Sequence, residues 1–129
     1  MNTSGIKILV VDDENVVCSN VIAFLEDEGF TVFSATSGEE ALSLLHSKDV
    51  DVGIIDMRLP GIDGNTFIMR AHEMKPIMKF LIHTGSTNYS LPSTLVDLGI
   101  SPNQVFRKPL LDMGQLVSAI HRLIGEGVP

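Results

Sequence analysis

The chain has 129 residues, a formal net charge of −7 and 44% apolar residues. That length suits a single domain able to bury roughly two-thirds of its unfolded surface, and the apolar fraction excludes a disordered chain. The acidic balance argues against nonspecific nucleic-acid binding by this domain, and no apolar run reaches the roughly 18 residues of a membrane-spanning helix.

In chain order, Met1-Asn2-Thr3-Ser4-Gly5 passes directly into a strand pattern, which argues against a signal peptide. Ile6–Val11 is a continuous apolar run, as expected for a strand buried on both faces. Asn15 to Glu28 has helical spacing through Val17, Val21, Phe24 and Leu25, and Gly29 closes it. The single cysteine, Cys18, falls in this helix as a packing residue. One cysteine excludes an internal disulfide framework and favours a reducing, cytoplasmic setting. Phe30–Ala35 is the second strand. Ser37-Gly38-Glu39-Glu40 has the capping-box pattern and opens a helix through Ala41, Leu44 and Leu45 to about His46. Val52–Asp56 is the third strand. Asp63 caps a helix from Gly64 to about Met74, with Phe67, Ile68 and Ala71 inward. Lys79–Thr84 is the fourth strand. A helix between Asn88 and Leu98 is the least regular, because Pro92 is tolerated only near its first turn. Gln104–Arg107 is a short fifth strand. Asp112 with Gln115 has a second capping-box pattern, opening a final helix through Met113, Leu116, Val117, Ile120, Leu123 and Ile124 to Gly125. Strands alternating with helices predict an α/β fold with a parallel sheet. The domain spans residues 1–129 with its core at about 6–124, and the tail after 125 reads as a native end or the start of a linker to an output domain.

The chemistry collects at the strand ends. Asp12-Asp13 ends the first strand, Asp56 the third, Thr84 the fourth, and Lys108-Pro109 follows the fifth. In a parallel sheet these ends share one edge, where open α/β sheets carry their sites. Three clustered carboxylates repel one another and invite a hard cation such as Mg2+.

Any one of these motifs is weak. Together, and in order, they resemble the receiver domain of bacterial response regulators over about Ile6 to Ile124. The resemblance includes the acidic pair, Asp56 with Pro60-Gly61 and Asp63-Gly64 behind it, Thr84-Gly85, and Lys108-Pro109. It implies a doubly wound, flavodoxin-like, five-stranded parallel sheet in the order 2-1-3-4-5 with five helices. It implies that Asp56 accepts a phosphoryl group from a histidine kinase or a histidine phosphotransfer protein. Mg2+ would be held by Asp12 or Asp13, Asp56 and the backbone carbonyl of Arg58. Lys108 and Thr84 would bind phosphoryl oxygens, and the Lys108-Pro109 bond would be cis. Such a domain promotes only its own phosphoryl transfer and dephosphorylation. The face of helix four, strand five and helix five would regulate an output domain or downstream protein, and is the face such domains use to form homodimers. No direct contact with nucleic acid or membrane is implied.

Two departures stand out. The family usually has Tyr or Phe three residues before the strand-five lysine; here that position is Val105, followed by Phe106. The segment from Thr84 to Lys108 is also about two residues longer than usual. These features keep alive, as an alternative, a pseudo-receiver acting as an unphosphorylated interaction module, which the presence of all five site residue types disfavours. An aspartate-nucleophile phosphatase wants a second acid where Arg58 stands, and a flavin phosphate would be repelled by Asp12-Asp13. Of the four histidines, His46, His72 and His121 read as solvated helix residues, and His83 as structural, on the face opposite Thr84.

Overall fold

The computed structural model describes residues 5–125. The strands are β1 (Lys7–Val11), β2 (Thr31–Ala35), β3 (Val52–Ile55), β4 (Lys79–Thr84) and β5 (Val105–Arg107). The helices are α1 (Asn15–Asp27), α2 (Gly38–Leu45), α3 (Gly64–Met74), α4 (Ser93–Asp97) and α5 (Gly114–Ile124). All strand pairs are parallel, in the order β2-β1-β3-β4-β5. This is the expected doubly wound order.

Alternation along each strand divides the core in two. Leu9, Val11, Ile55, Phe80 and Ile82 pack with Ala41, Leu45, Phe67, Ile68, Ala71 and Leu95 from α2, α3 and α4. Ile8, Val10, Val52, Ile54 and Leu81 pack with Cys18, Val21, Leu25, Leu116, Ala119 and Ile120 from α1 and α5. The central strands are apolar at successive positions because both faces are covered. Among the described residues, no helix is long and apolar enough to cross a membrane. The tail after 125, read as a native end or the start of a linker, lies outside the described residues.

The boundaries differ from the sequence pattern where backbone groups are claimed by turns. Phe30 is buried, but its N–H donates to Leu25 O at 3.1 Å, closing α1 rather than extending β2. Ser37 caps α2 as expected, accepting from the Glu40 N–H at 3.1 Å. The Glu40 carboxylate reaches past Ser37 to the Thr36 N–H at 2.7 Å. Asp63 caps α3 through the Thr66 N–H at 2.8 Å. The capping box expected at Asp112 does not form. Its carboxylate takes the Gly114 N–H at 3.0 Å, and α5 starts later, after Met113. Pro92 precedes α4, which is only five residues long. The long segment before β5 therefore consists of an extended loop, a short helix and a 3-10 turn at Pro102–Gln104.

That 3-10 turn holds a polar anchor. Gln104 is buried; its Nε2 donates to Phe80 O at 2.8 Å and its Oε1 accepts from the Ser101 N–H at 2.9 Å. β5 pairs with β4 only from Ile82 onward, so the Gln104 side chain continues the ladder that the short strand leaves unfinished.

Candidate functional site

Three backbone bonds set the positions of the site residues. The Asp12 N–H donates to Ala35 O at 3.1 Å, the Asp56 N–H to Val11 O at 2.9 Å, and the Lys108 N–H to Thr84 O at 2.8 Å. Each strand end is thus fixed to its neighbour, and the side chains beyond converge. Asp12, Asp13 and Asp56 each offer a carboxylate oxygen within 4.8 Å of the others. Asp12 and Asp56 are buried and Asp13 is exposed.

Lys108 offsets part of the charge of this cluster. Its Nζ lies 2.8 Å from Asp12 Oδ2, 2.8 Å from Glu14 Oε1 and 3.2 Å from Asp56 Oδ2. Burial alone would lower the Lys108 pKa, but hydrogen bonds to Asp12 and Glu14 and the attraction of Asp12 and Asp56 outweigh it. The net result is an amine held charged beyond the ordinary lysine range. Burial pushes the Asp56 carboxyl up, against the Arg58 N–H that donates to its Oδ1 at 3.1 Å and the attraction of Lys108; Asp12 adds to the rise. Asp56 is therefore a partly desolvated carboxylate with one oxygen on a backbone donor and the other on an ammonium.

Glu14 was not legible as a site residue. It directly follows the acidic pair, at the N-cap of α1, but its side chain makes no cap bond. The carboxylate is drawn to Lys108, whose hydrogen bond and charge lower its pKa. Asp12 supplies the local bond instead, accepting from the Glu14 N–H at 2.9 Å.

Thr84 is fully buried, and its Oγ1 accepts from the Ser86 N–H at 3.2 Å. In that role its own proton remains free to donate. His83, one residue earlier, faces the α1–α5 side, as expected. It is buried, its Nε2 lacks a hydrogen-bond partner among the described residues, and burial lowers its pKa. His121, expected to be solvated, is instead buried. It packs against Phe30 with ring centroids 5.9 Å apart, because it falls on the inward face of α5.

The loop after Asp56 is held from two sides. A Cβ at Gly64 would lie 2.5 Å from Asp56 O and 2.8 Å from Met57 Cα, so only glycine lets α3 begin this close to the Asp56 backbone. Gly61 has φ +72°, and a Cβ there would fall 2.3 Å from Glu39 Oε2. The same Glu39 oxygen accepts from the Ile62 N–H at 3.1 Å, joining α2 to the loop.

The chain matches the family model described as Response regulator receiver domain over residues 8–121. It belongs to that family. Among curated relatives it is 30% identical over 117 residues to the response regulator SaeR of Staphylococcus aureus strain USA300. That match covers 91% of this chain and 50% of SaeR, so the chain spans about half the length of the curated relatives it matches. Among solved structures it resembles the CheY-like receiver domain of Methanospirillum hungatei JF-1, with TM-score 0.81, 26% identity, and coverage of 93% of this chain and 94% of that one. The Clostridium thermocellum receiver domain gives TM-score 0.79 and 30% identity, over 93% of this chain and 94% of that one. TrrA of Thermotoga maritima, solved in complex with Mg(2+)-BeF, gives TM-score 0.77 and 27% identity, over 92% and 98%.

Against that family background, this receiver's own features lie near β5. Lys108-Pro109 is cis, as the resemblance implied. Val105 stands opposite Ile82 and packs on the α2–α4 side, while Phe106 packs with the α1–α5 side. Phe106 therefore does not substitute for the missing aromatic. Arg107, opposite Thr84, donates Nη1 to Ser86 O at 2.8 Å and Nη2 to Tyr89 O at 2.9 Å. The Tyr89 hydroxyl donates to Asn65 Oδ1 on α3 at 3.2 Å.

Proposed function

We propose that this receiver accepts a phosphoryl group on Asp56 from a phosphohistidine of a partner kinase or phosphotransfer protein. It then regulates an output domain or a downstream protein through the face of α4, β5 and α5. The observation that carries this reading is the buried Asp56 carboxylate, with Lys108 Nζ 3.2 Å away and the oxygens of Asp12 and Asp13 within 4.8 Å.

An Asp56 oxygen attacks phosphorus, the new O–P bond forms as the N–P bond breaks, and the electron pair leaves with the imidazole nitrogen. Lys108 is charged throughout and has three donors, so it can shift from Glu14 to a phosphoryl oxygen without losing its tie to Asp12. The Thr84 hydroxyl, now only accepting, donates its proton to another phosphoryl oxygen. The Arg58 N–H holds the Asp56 oxygen that does not react. Asp12, Asp13 and Asp56, with the Arg58 carbonyl, form a set of hard oxygen donors that suits Mg2+. When bound, Mg2+ supplies positive charge for the oxygens of the phosphoryl group in transfer.

Val16, in the first turn of α1, and Leu111, between β5 and α5, are large apolar side chains left 74% and 94% exposed. They support a protein donor over a small free metabolite. In this reading the domain turns over no external substrate and contacts neither nucleic acid nor membrane directly. Val105 and the short α4 favour the pseudo-receiver as the second reading.

Incubation with an acyl-phosphate donor and Mg2+, followed by intact-mass measurement, separates the two. One phosphoryl adduct that disappears in Asp56→Asn is expected. An unmodified wild-type chain, or an adduct that survives the substitution, would favour the pseudo-receiver.

A further inference from the structure

The loop from Gly85 to Pro92 joins Thr84 to α4, and it is gripped at three points. Ser86 is held twice: its N–H donates to Thr84 Oγ1, and its C=O accepts from Arg107. Tyr89 is also held twice, with its C=O on Arg107 and its hydroxyl on Asn65 of α3. One planar guanidinium therefore spans two carbonyls of the loop, a geometry that lysine's single ammonium does not reproduce. Against the loop lies a cleft of about 240 Å³, lined by Tyr89, Ser90, Leu91, Pro102, Val105 and Arg107. The segment thus has both a latch and free space beside it.

We propose that Arg107 and Tyr89 form a switch between Thr84 and α4, with Arg107 as positioning residue and Tyr89 as the moving ring. This rests on the phosphoacceptor reading of Asp56. When the Thr84 side chain rotates to carry its hydroxyl to a phosphoryl oxygen, Oγ1 moves off the Ser86 N–H, which loses its acceptor. The loop then shifts on the Arg107 fork, Tyr89 leaves Asn65, and its ring moves into the cleft over Val105. The ring comes from the loop rather than from β5, so the output face changes shape through α4's approach segment. Two packings of one segment, biased by a single hydrogen bond, are the kind of bistable element a ligand can shift.

The chain offers its own probe, since Tyr89 is its single tyrosine and it has no tryptophan. The experiment follows tyrosine emission during acyl-phosphate and Mg2+ treatment, with intact mass taken on the same samples. In the wild type, emission should change in step with the adduct; in Asp56→Asn it should stay flat. In Arg107→Ala the adduct should still form while most of the emission step is lost. Arg107→Lys keeps the charge without the fork, should lose most of the step too, and replaces Arg107→Ala if circular dichroism finds that variant unfolded. Val105→Phe fills the cleft without adding a tyrosine, and should also form the adduct with little emission change. An adduct in the wild type without an emission change, or a wild-type step in both the position-107 variant and Val105→Phe, overturns this proposal alone. No adduct in the wild type overturns the phosphoacceptor reading and this proposal with it.

Discussion

Replacing Lys108 by methionine keeps most of the side chain's length and removes its charge. Nζ now sits 2.8 Å from Asp12, 2.8 Å from Glu14 and 3.2 Å from Asp56, with the Asp12 and Asp56 side chains only 4% exposed. Glu14, being exposed, can turn to solvent; the two buried carboxylates cannot. Their oxygens lie within 4.8 Å of one another and of Asp13. Two unit charges at that spacing repel by about 3.5 kcal/mol at an effective dielectric of 20. Removing one partner of a buried ion pair costs about 3–5 kcal/mol, which agrees. For a domain of this size, 3–4 kcal/mol lowers the melting temperature by roughly 10–15 °C. The assay is thermal unfolding by circular dichroism, in chelator and then in excess Mg2+. Lys108→Met should melt about 10 °C or more below wild type in chelator. Mg2+ should raise the variant's melting temperature more than the wild type's, because a cation then does what the ammonium did. A variant that melts within about 2 °C of wild type in chelator would refute the electrostatic account. So would a Mg2+ shift no larger than the wild type's.

Three further outcomes follow from the same geometry. Because the Asp56 pKa is raised in the fold, its favourable contribution exists below the ordinary aspartate pKa and is lost as pH rises through the raised value. Asp56→Asn should therefore melt above wild type at neutral pH without Mg2+, and the gap should close toward about pH 4; a gap that widens on acidification would contradict this. Gly64→Ala should destabilise by about 1–3 kcal/mol in urea unfolding and slow adduct formation, because the new methyl must displace the backbone of Asp56 and Met57. Gln104→Leu should cost about 1–3 kcal/mol by leaving Phe80 O and the Ser101 N–H without partners, while adduct formation on Asp56 stays near wild type.

The sequence carried the site further than it carried the loops. Asp12, Asp56 and Lys108 were legible because strand ends are marked by apolar runs that stop abruptly, and a parallel sheet brings those stops to one edge. Glu14 was hidden because its chemistry depends on Lys108, distant in sequence and adjacent only after folding. Asp112 fits the capping-box pattern but does not form the box, since its carboxylate is satisfied two residues ahead and the helix begins late. The working polar turn is at Ser101 and Gln104, where a buried glutamine looks like an ordinary surface residue in sequence. His121 was misassigned for a similar reason: its helix position faces Phe30, a neighbour that linear spacing does not reveal. Arg107 and Tyr89 are separated by 18 residues, and nothing local advertises their contact.

The Glu39 clasp on the loop after Asp56 makes the rim of the site asymmetric. On one side α2 and α3 are bolted to the Asp56 backbone and its loop through Ile62, Gly61 and Gly64. On the other, the loop leading to α4 hangs from one threonine hydroxyl, one exposed guanidinium and one tyrosine hydroxyl. If Asp56 accepts a phosphoryl group as proposed, reaction geometry and recipient identity are separable in this chain. Exchanging residues 85–107 with those of another family member should then redirect which protein listens while leaving the surroundings of Asp56 in place.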